Sequence, residues 1–344
     1  MNASILLLPG DGIGPEVTAA AQRVLAHVRP DLDFVERRIG LGALDATGRP
    51  HPDDLVDTAR ASAAVLLGAV GGAQDPDVPW DVRPEAPLFM LRKELDLYAN
   101  IRPVRLIPSL ADRAVLRPDL AAGIDLVIVR ELVGGAYFGA KGDRSDGTAF
   151  DTFEYTAPMI ERVVRRAFAL AAHRRGTVTS VDKANILRTS MLWRTVATRV
   201  AAEYPDIGCE HLLVDNAAMQ LVQRPASFDV LVTENLFGDI LSDEAAAMVG
   251  GLGMLPSASL GDDGPGLYEP VHGSAPDIAG TGAANPCAAI LSAAMLARFS
   301  LGDESCATRI ESAVDAALDD GVRTRDLGGE ATCADVVAAV LSNL

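Results

Sequence analysis

Asp239 and Asp243 stand four residues apart in NLFGDILSDEA, on one face of a helix. Like charges so placed cost about 0.2–0.5 kcal/mol, and a cation between them is an economical explanation. With Asp215 of VDNAAMQLV they form an oxygen-only set. Such a set suits Mg²⁺ or Mn²⁺, which keep positions open for water and substrate oxygens. A solvated acidic face, or Asp239 as a helix cap, is the plainer alternative. Arg92, Arg102 and Arg130 form a second constellation. Planar guanidinium groups pair bidentately with carboxylates and fit a diacid substrate, although a single arginine is ordinarily a solvated surface charge. Lys183 closes the run TVTSVDK and can be tuned to act as a general base near carboxylates; Tyr137 in GGAYFG can deliver a proton. Taken singly, either residue reads by default as structural.

The stretch Tyr268–Pro286, YEPVHGSAPDIAGTGAANP, is too long, too rich in Gly and Pro and too poor in periodic apolar residues for a helix or strand. It reads as one specific loop, with an exposed His272, the acids Glu269 and Asp277, and glycines where backbone can approach a ligand. Asn285 and Pro286 then open the helical run CAAILSAAMLARF as a capping residue and a first-turn proline. A loop ending at a helix N-terminus suits a phosphorylated cofactor; an ordinary surface loop is the competing reading.

These residues need a scaffold, and the chain supplies apolar runs that alternate with helical patterns. SILLLP, AAVLLGA, IDLVIVRE, TVTSVDK, HLLVD and FDVLVT read as strands. PEVTAAAQRVLAHV, APMIERVVRRAFALAAH and MLWRTVATRVAAEY read as helices. Near-continuous apolar strands separated by helices predict a largely parallel sheet covered on both faces. Polar residues gather at the strands' C-terminal ends: Arg130 ends IDLVIVR, Asp215 ends LLVD, and Glu234 with Asp239 follows DVLVT. That edge is where open α/β sheets bind ligands. PGDGIGPEV invites a Rossmann reading, but GxGxxG from Gly10 would need glycine where Pro15 stands. It reads instead as a tight strand-to-helix turn near the cofactor.

The 344 residues are 49% hydrophobic with a net charge of −17, enough chain for two domains or one large one. An acidic balance argues against nucleic acid and anionic membrane surfaces. No run approaches about 20 uninterrupted apolar residues, and no basic region precedes the short apolar run near the start. Cys209, Cys287, Cys306 and Cys333 show neither CxxC spacing nor clustering, so a reduced cytoplasmic setting is expected.

PGDGIGPEV (9–17), LRKELDLYANIRP (91–103), VRELVGGAYFG (129–139), SVDKANIL (180–187), VDNAAMQLV (214–222), TENLFGDILSDEA (233–245) and the 268–286 stretch together resemble one family. It is that of the β-decarboxylating dehydrogenases, the isopropylmalate and isocitrate dehydrogenases. The resemblance implies an α/β fold of two domains, a parallel or mixed sheet covered by helices, and not a Rossmann fold. A discontinuous cofactor-side domain would span 1–98 and 251–344. Residues 99–250 would bind substrate and metal and dimerise through a hairpin arm near 134–155, with the active site in the cleft between the domains.

The activity implied is NAD-dependent, metal-dependent oxidation of a 2-hydroxy-3-carboxy acid followed by decarboxylation. Tyr137 and Lys183 match the family's catalytic pair; Arg92, Arg102, Arg130 and Asp215 its substrate residues; Asp215, Asp239 and Asp243 its Mg²⁺ or Mn²⁺ ligands. Glu269, His272, Gly273, Ser274, Ala275, Asp277, Ile278 and Asn285 match its cofactor residues. Asp277 at the ribose position favours NAD over NADP, since nothing basic lies between Glu269 and Pro286. In the family Lys183 and Asp215 reach the site across a homodimer. Glu85 and Leu88, with Phe89, resemble the wall that receives an isopropyl group, so the closest resemblance is to the branch acting on 3-isopropylmalate in leucine biosynthesis. Other 3-alkylmalates, homoisocitrate, tartrate and malate are the alternative substrates. A non-catalytic regulatory homologue would lack the lysine, tyrosine or metal aspartates, all of which are present.

Overall fold

The structure, a computed structural model, describes residues 3–72 and 78–344. Its strands in chain order are β1 (Ser4–Gly10), β2 (Asp33–Glu36), β3 (Ala64–Ala69), β4 (Ala99–Arg105), β5 (Asp125–Glu131) and β6 (Lys141–Asp143). They continue as β7 (Ala149–Asp151), β8 (Thr177–Asp182), β9 (Gly208–Leu213), β10 (Val230–Thr233), β11 (Pro256–Leu260) and β12 (Gly266–Pro270). The helices are α1 (Gly14–Val28), α2 (Leu41–Thr47), α3 (Leu55–Ala61), α4 (Ala86–Glu94), α5 (Pro118–Ala121) and α6 (Ala157–Ala171). After them come α7 (Arg188–Ala201), α8 (Val214–Gln223), α9 (Asn235–Ala247), α10 (Cys287–Phe299), α11 (Glu304–Asp319) and α12 (Cys333–Ser342). No helix among the described residues is long and apolar enough to cross a membrane.

The chain divides into two compact units. The first comprises Met1–Leu97, Ile107–Arg113 and Gly250–Leu344; the second comprises Tyr98–Leu106 and Ala114–Val249.

In the first unit the strand order is β2-β1-β3-β12-β11. β1 runs parallel to β2 and β3, and β12 runs parallel to β3 but antiparallel to β11. Every residue of β3, AVLLGA, is buried, which is why that run shows no polar alternation. The Ala-rich α10 is buried from Cys287 to Ala297 and packs on α1, α11 and β12; small side chains let these elements approach closely. Gly10 stands opposite Ala69 in the ladder. The PGDGIG turn and the segment after β3 therefore leave the sheet at one edge.

The second unit has the order β4-β5-β10-β8-β9, parallel except for the β4–β5 pair. Thr233 is level with Arg130 on one side and Val181 on the other, and Val181 is level with Leu212. Arg130, Glu234, Lys183 and Asp215 consequently emerge at a single C-terminal edge. α6 packs on β5, β8 and β10 and against α7; it starts at Thr156, whose side chain accepts from the Met159 N–H. β6 and β7 form a separate antiparallel hairpin within 134–155.

Four local expectations are corrected. Tyr268–Pro270 belongs to β12, with Tyr268 level with Leu66 and Ala258, so the irregular segment begins only at Val271. Pro286 occupies the cap position rather than the first turn of α10, and Asn285 Oδ1 accepts from the Cys287 N–H at 3.0 Å. β9 ends at Leu213, which puts Asp215 in the first turn of α8 and not at a strand end. His272 is half-buried rather than exposed.

Candidate functional site

In the second unit the chemistry collects on the inner face of α9. Arg130, the penultimate residue of β5, is 2% exposed and Arg102 of β4 is 5% exposed. Both guanidinium groups face Asp239: Arg130 through Nη1, and Arg102 through Nη2 at 3.4 Å. Arg102 Nη1 also stands 3.6 Å from Asp243 and donates to Ser242 Oγ at 2.6 Å, while its Nε donates to Asn100 Oδ1 at 2.7 Å. The stem of Arg130 crosses α9 at Gly238, where a Cβ would come within 2.7 Å of its Cγ. Any larger residue there would push the arginine off the helix.

Tyr137 lies in the 3-10 turn Gly135–Tyr137 and donates its hydroxyl to Asp239 Oδ2 at 2.8 Å. Burial first, and the Asp239 contact second, push its phenol up to about 12. It is a loaded proton donor at neutral pH. Burial also raises the carboxyl of Asp243, opposed by the Arg102 charge and reinforced by Asp239. The cap of α9 is Glu234, not Asp239: its carboxylate accepts from the N–H groups of Leu236 (3.0 Å) and Phe237 (2.7 Å).

Lys183, just beyond β8, donates to Asp215 of α8, and that bond lowers the carboxyl of Asp215. Among the described residues no group of three or more His, Cys, Asp and Glu is placed to hold a metal, so Asp215 does not complete the Asp239–Asp243 pair within one chain.

In the first unit Arg92 of α4 pairs with Glu269 of β12 at 2.9 Å, both side chains about nine-tenths buried. Glu269, grouped by sequence with the cofactor residues, is thus the counter-ion of a substrate-type arginine. The ring of Phe89 lies 5.4 Å from the Arg92 guanidinium and meets Trp80 edge-on at 5.0 Å. Leu88 keeps only 8% of its surface, packed in the core with Leu6, Leu91, Leu95 and Leu97. Glu85 precedes α4 and crowds Gly71, whose φ of +119° and missing Cβ (2.6 Å from Glu85 Oε1 if present) leave it room.

The segment after β12 is held by the PGDGIGPEV turn. Ile13 N–H donates to Ser274 O at 2.8 Å, and Glu16 accepts from the Gly280 N–H. Gly12 has φ +58°, and a Cβ on it would sit 1.9 Å from Ser274 O. Asp11, buried, ties the turn to its neighbours by accepting from the N–H groups of Gly71 (3.0 Å) and Gly42 (3.3 Å). Ala275 adopts φ +39° ahead of the turn Pro276–Ile278, which leaves Gly273, Asp277 and Ile278 exposed. His272, Ile278 and Asn285 line a cavity of about 410 Å³ together with Ile13, Arg325 and Asp326. Burial keeps the His272 imidazole below its ordinary pKa; its Nδ1 faces Gly273 O at 2.9 Å, and its Nε2 is buried without a hydrogen-bond partner among the described residues. Asn285 Nδ2 donates to Asp326 at 2.9 Å.

Ile13, Arg325 and Asp326 were not singled out as site residues by sequence reasoning. The loop's lack of a cation is offset by Arg325, some forty residues further on, and only the fold reveals it. Glu234 is placed by sequence only at the strand edge, and Asn235, Ser242 and Tyr155 are not singled out. TENLFGD contains Glu234 and Asn235, and the polar character of Asn235 in an otherwise apolar strand-to-helix junction is the available signal.

The family model of isocitrate/isopropylmalate dehydrogenase matches residues 4–340. Relatives named 3-isopropylmalate dehydrogenase include one from Shouchella clausii, 55% identical over 95% of this chain and 92% of its own length. A second, from Anaeromyxobacter dehalogenans, is 53% identical with both chains fully covered. Among solved structures, isocitrate dehydrogenase from Methylococcus capsulatus superposes with a TM-score of 0.89 at 37% identity, covering 99% of each chain. A β-decarboxylating dehydrogenase from Thermococcus kodakarensis gives 0.83 at 38% identity, over 99% of this chain and 96% of that one.

Proposed function

The chain belongs to the isocitrate/isopropylmalate dehydrogenase family, and from that premise we propose that it oxidises and decarboxylates (2R,3S)-3-isopropylmalate to 4-methyl-2-oxopentanoate and CO₂ in leucine biosynthesis. The observation that carries the choice of substrate is the 53–55% identity, at nearly full coverage, to relatives named for that activity. Isocitrate dehydrogenase from Methylococcus stands at 37%.

The donor set fits a divalent cation. Asp239 and Asp243 offer hard oxygens one helical turn apart, and Mg²⁺ is commonly held by one or two carboxylates plus substrate oxygens. Asp215 of a second subunit is the third ligand in this reading. The fit to NAD rests on the cavity beside His272, Ile278 and Asn285 and on Asp277, whose carboxylate suits ribose hydroxyls and repels a 2′-phosphate. Arg325 supplies a cation to the same wall, so the preference rests on Asp277 and Ile278 outweighing it. When bound, the cation supplies Lewis acidity and the nicotinamide accepts the hydride.

The chain's own groups divide the remaining work. Arg92, Arg102 and Arg130 take the substrate carboxylates. Lys183 accepts the proton of the C2 hydroxyl as hydride leaves C2. The resulting β-carboxy ketone breaks its C3–carboxylate bond, releases CO₂ and leaves an enolate. Tyr137, protonated at neutral pH, then delivers a proton to C3. Homodimerisation is supported by the lack of a third acidic ligand beside Asp239 and Asp243 among the described residues and by apolar surface at Met219, Val222 and Ile240 on α8 and α9.

Reduction of NAD and NADP across 3-alkylmalates, isocitrate, homoisocitrate, malate and tartrate tests the reading. Isopropylmalate with NAD should give the highest kcat/KM, with close alkyl homologues within about 10–200-fold, because an apolar wall discriminates a methylene weakly. Equal kcat/KM for isocitrate would overturn the substrate, and equal kcat/KM with NADP the cofactor.

A further inference from the structure

We propose that Asn235, locked by Tyr155, is a positioning residue that sets the orientation of the Arg130 guanidinium and of the turn carrying Tyr137. The inference rests on the reading of Arg130 as a substrate-binding group and Tyr137 as a proton donor.

Asn235 opens α9 and is wholly buried. Its Oδ1 accepts from two nitrogens of Arg130, Nε at 3.0 Å and Nη2 at 2.8 Å. A planar guanidinium gripped along one edge at two points cannot rotate about its stem. The direction of its remaining face is thereby fixed. The other end of the same amide, Nδ2, donates to Gly134 O at 3.1 Å. A flipped amide would aim its NH₂ at the guanidinium and its oxygen at a carbonyl, so both neighbours enforce a single orientation. One side chain thus joins a strand-borne arginine to the turn Gly135–Tyr137.

Tyr155 holds Asn235 where it is. Its hydroxyl accepts from the Asn235 backbone N–H at 3.0 Å and donates to Glu234 Oε2 at 3.3 Å. The ring also shapes the turn: a Cβ on Gly134 would approach Tyr155 Cε1 to 2.5 Å, and one on Gly135 would approach Tyr155 Oη to 2.6 Å. Glu131 adds a further grip, its carboxylate accepting from the N–H groups of Val133 at 3.1 Å and Gly134 at 2.8 Å. Residues 133–135 are thus fastened by Glu131, Tyr155 and Asn235, and Asn235 also grips the Arg130 guanidinium.

The test is steady-state kinetics of full-length Asn235→Ala, Asn235→Asp, Tyr155→Phe and Arg130→Gln, with circular dichroism to check folding. Asn235→Ala should lower kcat/KM for isopropylmalate by about 10–150-fold, the range for losing a hydrogen bond to a charged group, and leave the KM for NAD within about twofold. Asn235→Asp keeps the oxygen facing Arg130 but sets a second oxygen against Gly134 O. It should restore the substrate KM while kcat stays depressed, a split that a merely structural residue would not give. Tyr155→Phe keeps the ring and should lose activity in the same sense, by about 3–10-fold. A folded Asn235→Ala enzyme with wild-type constants overturns the proposal, as does an equal loss in both substrates' KM without the Asp split. If Asn235→Ala fails to fold, Tyr155→Phe decides, and unchanged kinetics there overturns it. A crippled Arg130→Gln beside an unaltered Asn235→Ala sinks only this proposal; an unaltered Arg130→Gln sinks the reading of Arg130 beneath it.

Discussion

The arginine–aspartate cluster on α9 and the segment after β12 are built from different material. In the cluster, long side chains on regular elements meet each other: Arg130, Arg102, Tyr137 and Asp239 are fixed by charge and hydrogen bonds among their own functional groups. Along 271–286 the grip is on the backbone instead. Ile13 N–H holds Ser274 O, Glu16 holds the Gly280 N–H, and Gly12 works by lacking a side chain. A region of the first kind fails when one functional group is removed, since its partners are left buried and uncompensated. A region of the second kind tolerates changes of exposed side chains and fails when something is added to the turn beneath it.

The contrast is broken most severely at Asp239. Asp239→Asn should cut turnover by orders of magnitude, since one substitution removes the negative charge that serves a cation and two arginines and leaves one acceptor oxygen where Arg130, Arg102 and Tyr137 used two. The native circular dichroism spectrum should be retained. Full wild-type turnover in excess EDTA, or a fully active Asp239→Asn enzyme, would show that the cluster binds no cation.

Gly12→Ala asks the complementary question of the loop. The new Cβ meets Ser274 O and forces a non-glycine residue to φ +58°. The KM for NAD should rise by about tenfold, equivalent to about 1.4 kcal/mol, with the KM for isopropylmalate nearly unchanged. Titrating each substrate separately decides it, and an unaltered NAD constant would mean the turn does not shape the loop.

The smallest effect concerns pH. Burial, opposed by the N–H groups of Val133 and Gly134, pushes the Glu131 carboxyl from 4.5 to about 7. The folded protein then binds this proton more tightly than the unfolded chain, so the contribution declines as pH rises from about 4.5 to 7. At about 1.4 kcal/mol per unit the decline is at most about 3.5 kcal/mol. Urea unfolding of wild type and Glu131→Gln across that range should give curves whose difference slopes in this direction. Parallel curves would mean that Glu131 is ionised and fully compensated in the native state.

Legibility in the sequence followed the same division. AVLLGA and the LVIV of β5 announce themselves because both faces of these strands are covered and no polar residue interrupts either run. β12 was missed because Gly266 and Pro270 bracket a strand whose sequence looks like the loop that follows. β4 carries Pro103 inside it, level with Val127 in the ladder, which disguises a strand as a turn. Arg102, Arg130 and Asp239 were visible as residue types because their chemistry sits in the side chain. Asn235 and Tyr155 were not, since an amide and a phenol acquire meaning only from partners 80 to 105 residues away. Arg325 was hidden for the same reason, being brought to the cavity by tertiary structure alone.

The pairing of β3 with β12 also has a consequence for synthesis. Nearly 200 residues separate Ala69 from Gly266, so β1, β2 and β3 leave the ribosome long before β12, which pairs with β3, and α10, which packs on β3. At about 5–20 residues per second the fully apolar AVLLGA edge stays unpaired for roughly 10–40 s. An open edge of that composition is an aggregation template, and the second unit, encoded in between, has time to fold first. The nascent chain is therefore most in need of a chaperone before its last third emerges, and the finished N-terminal sheet is a product of the C-terminal residues.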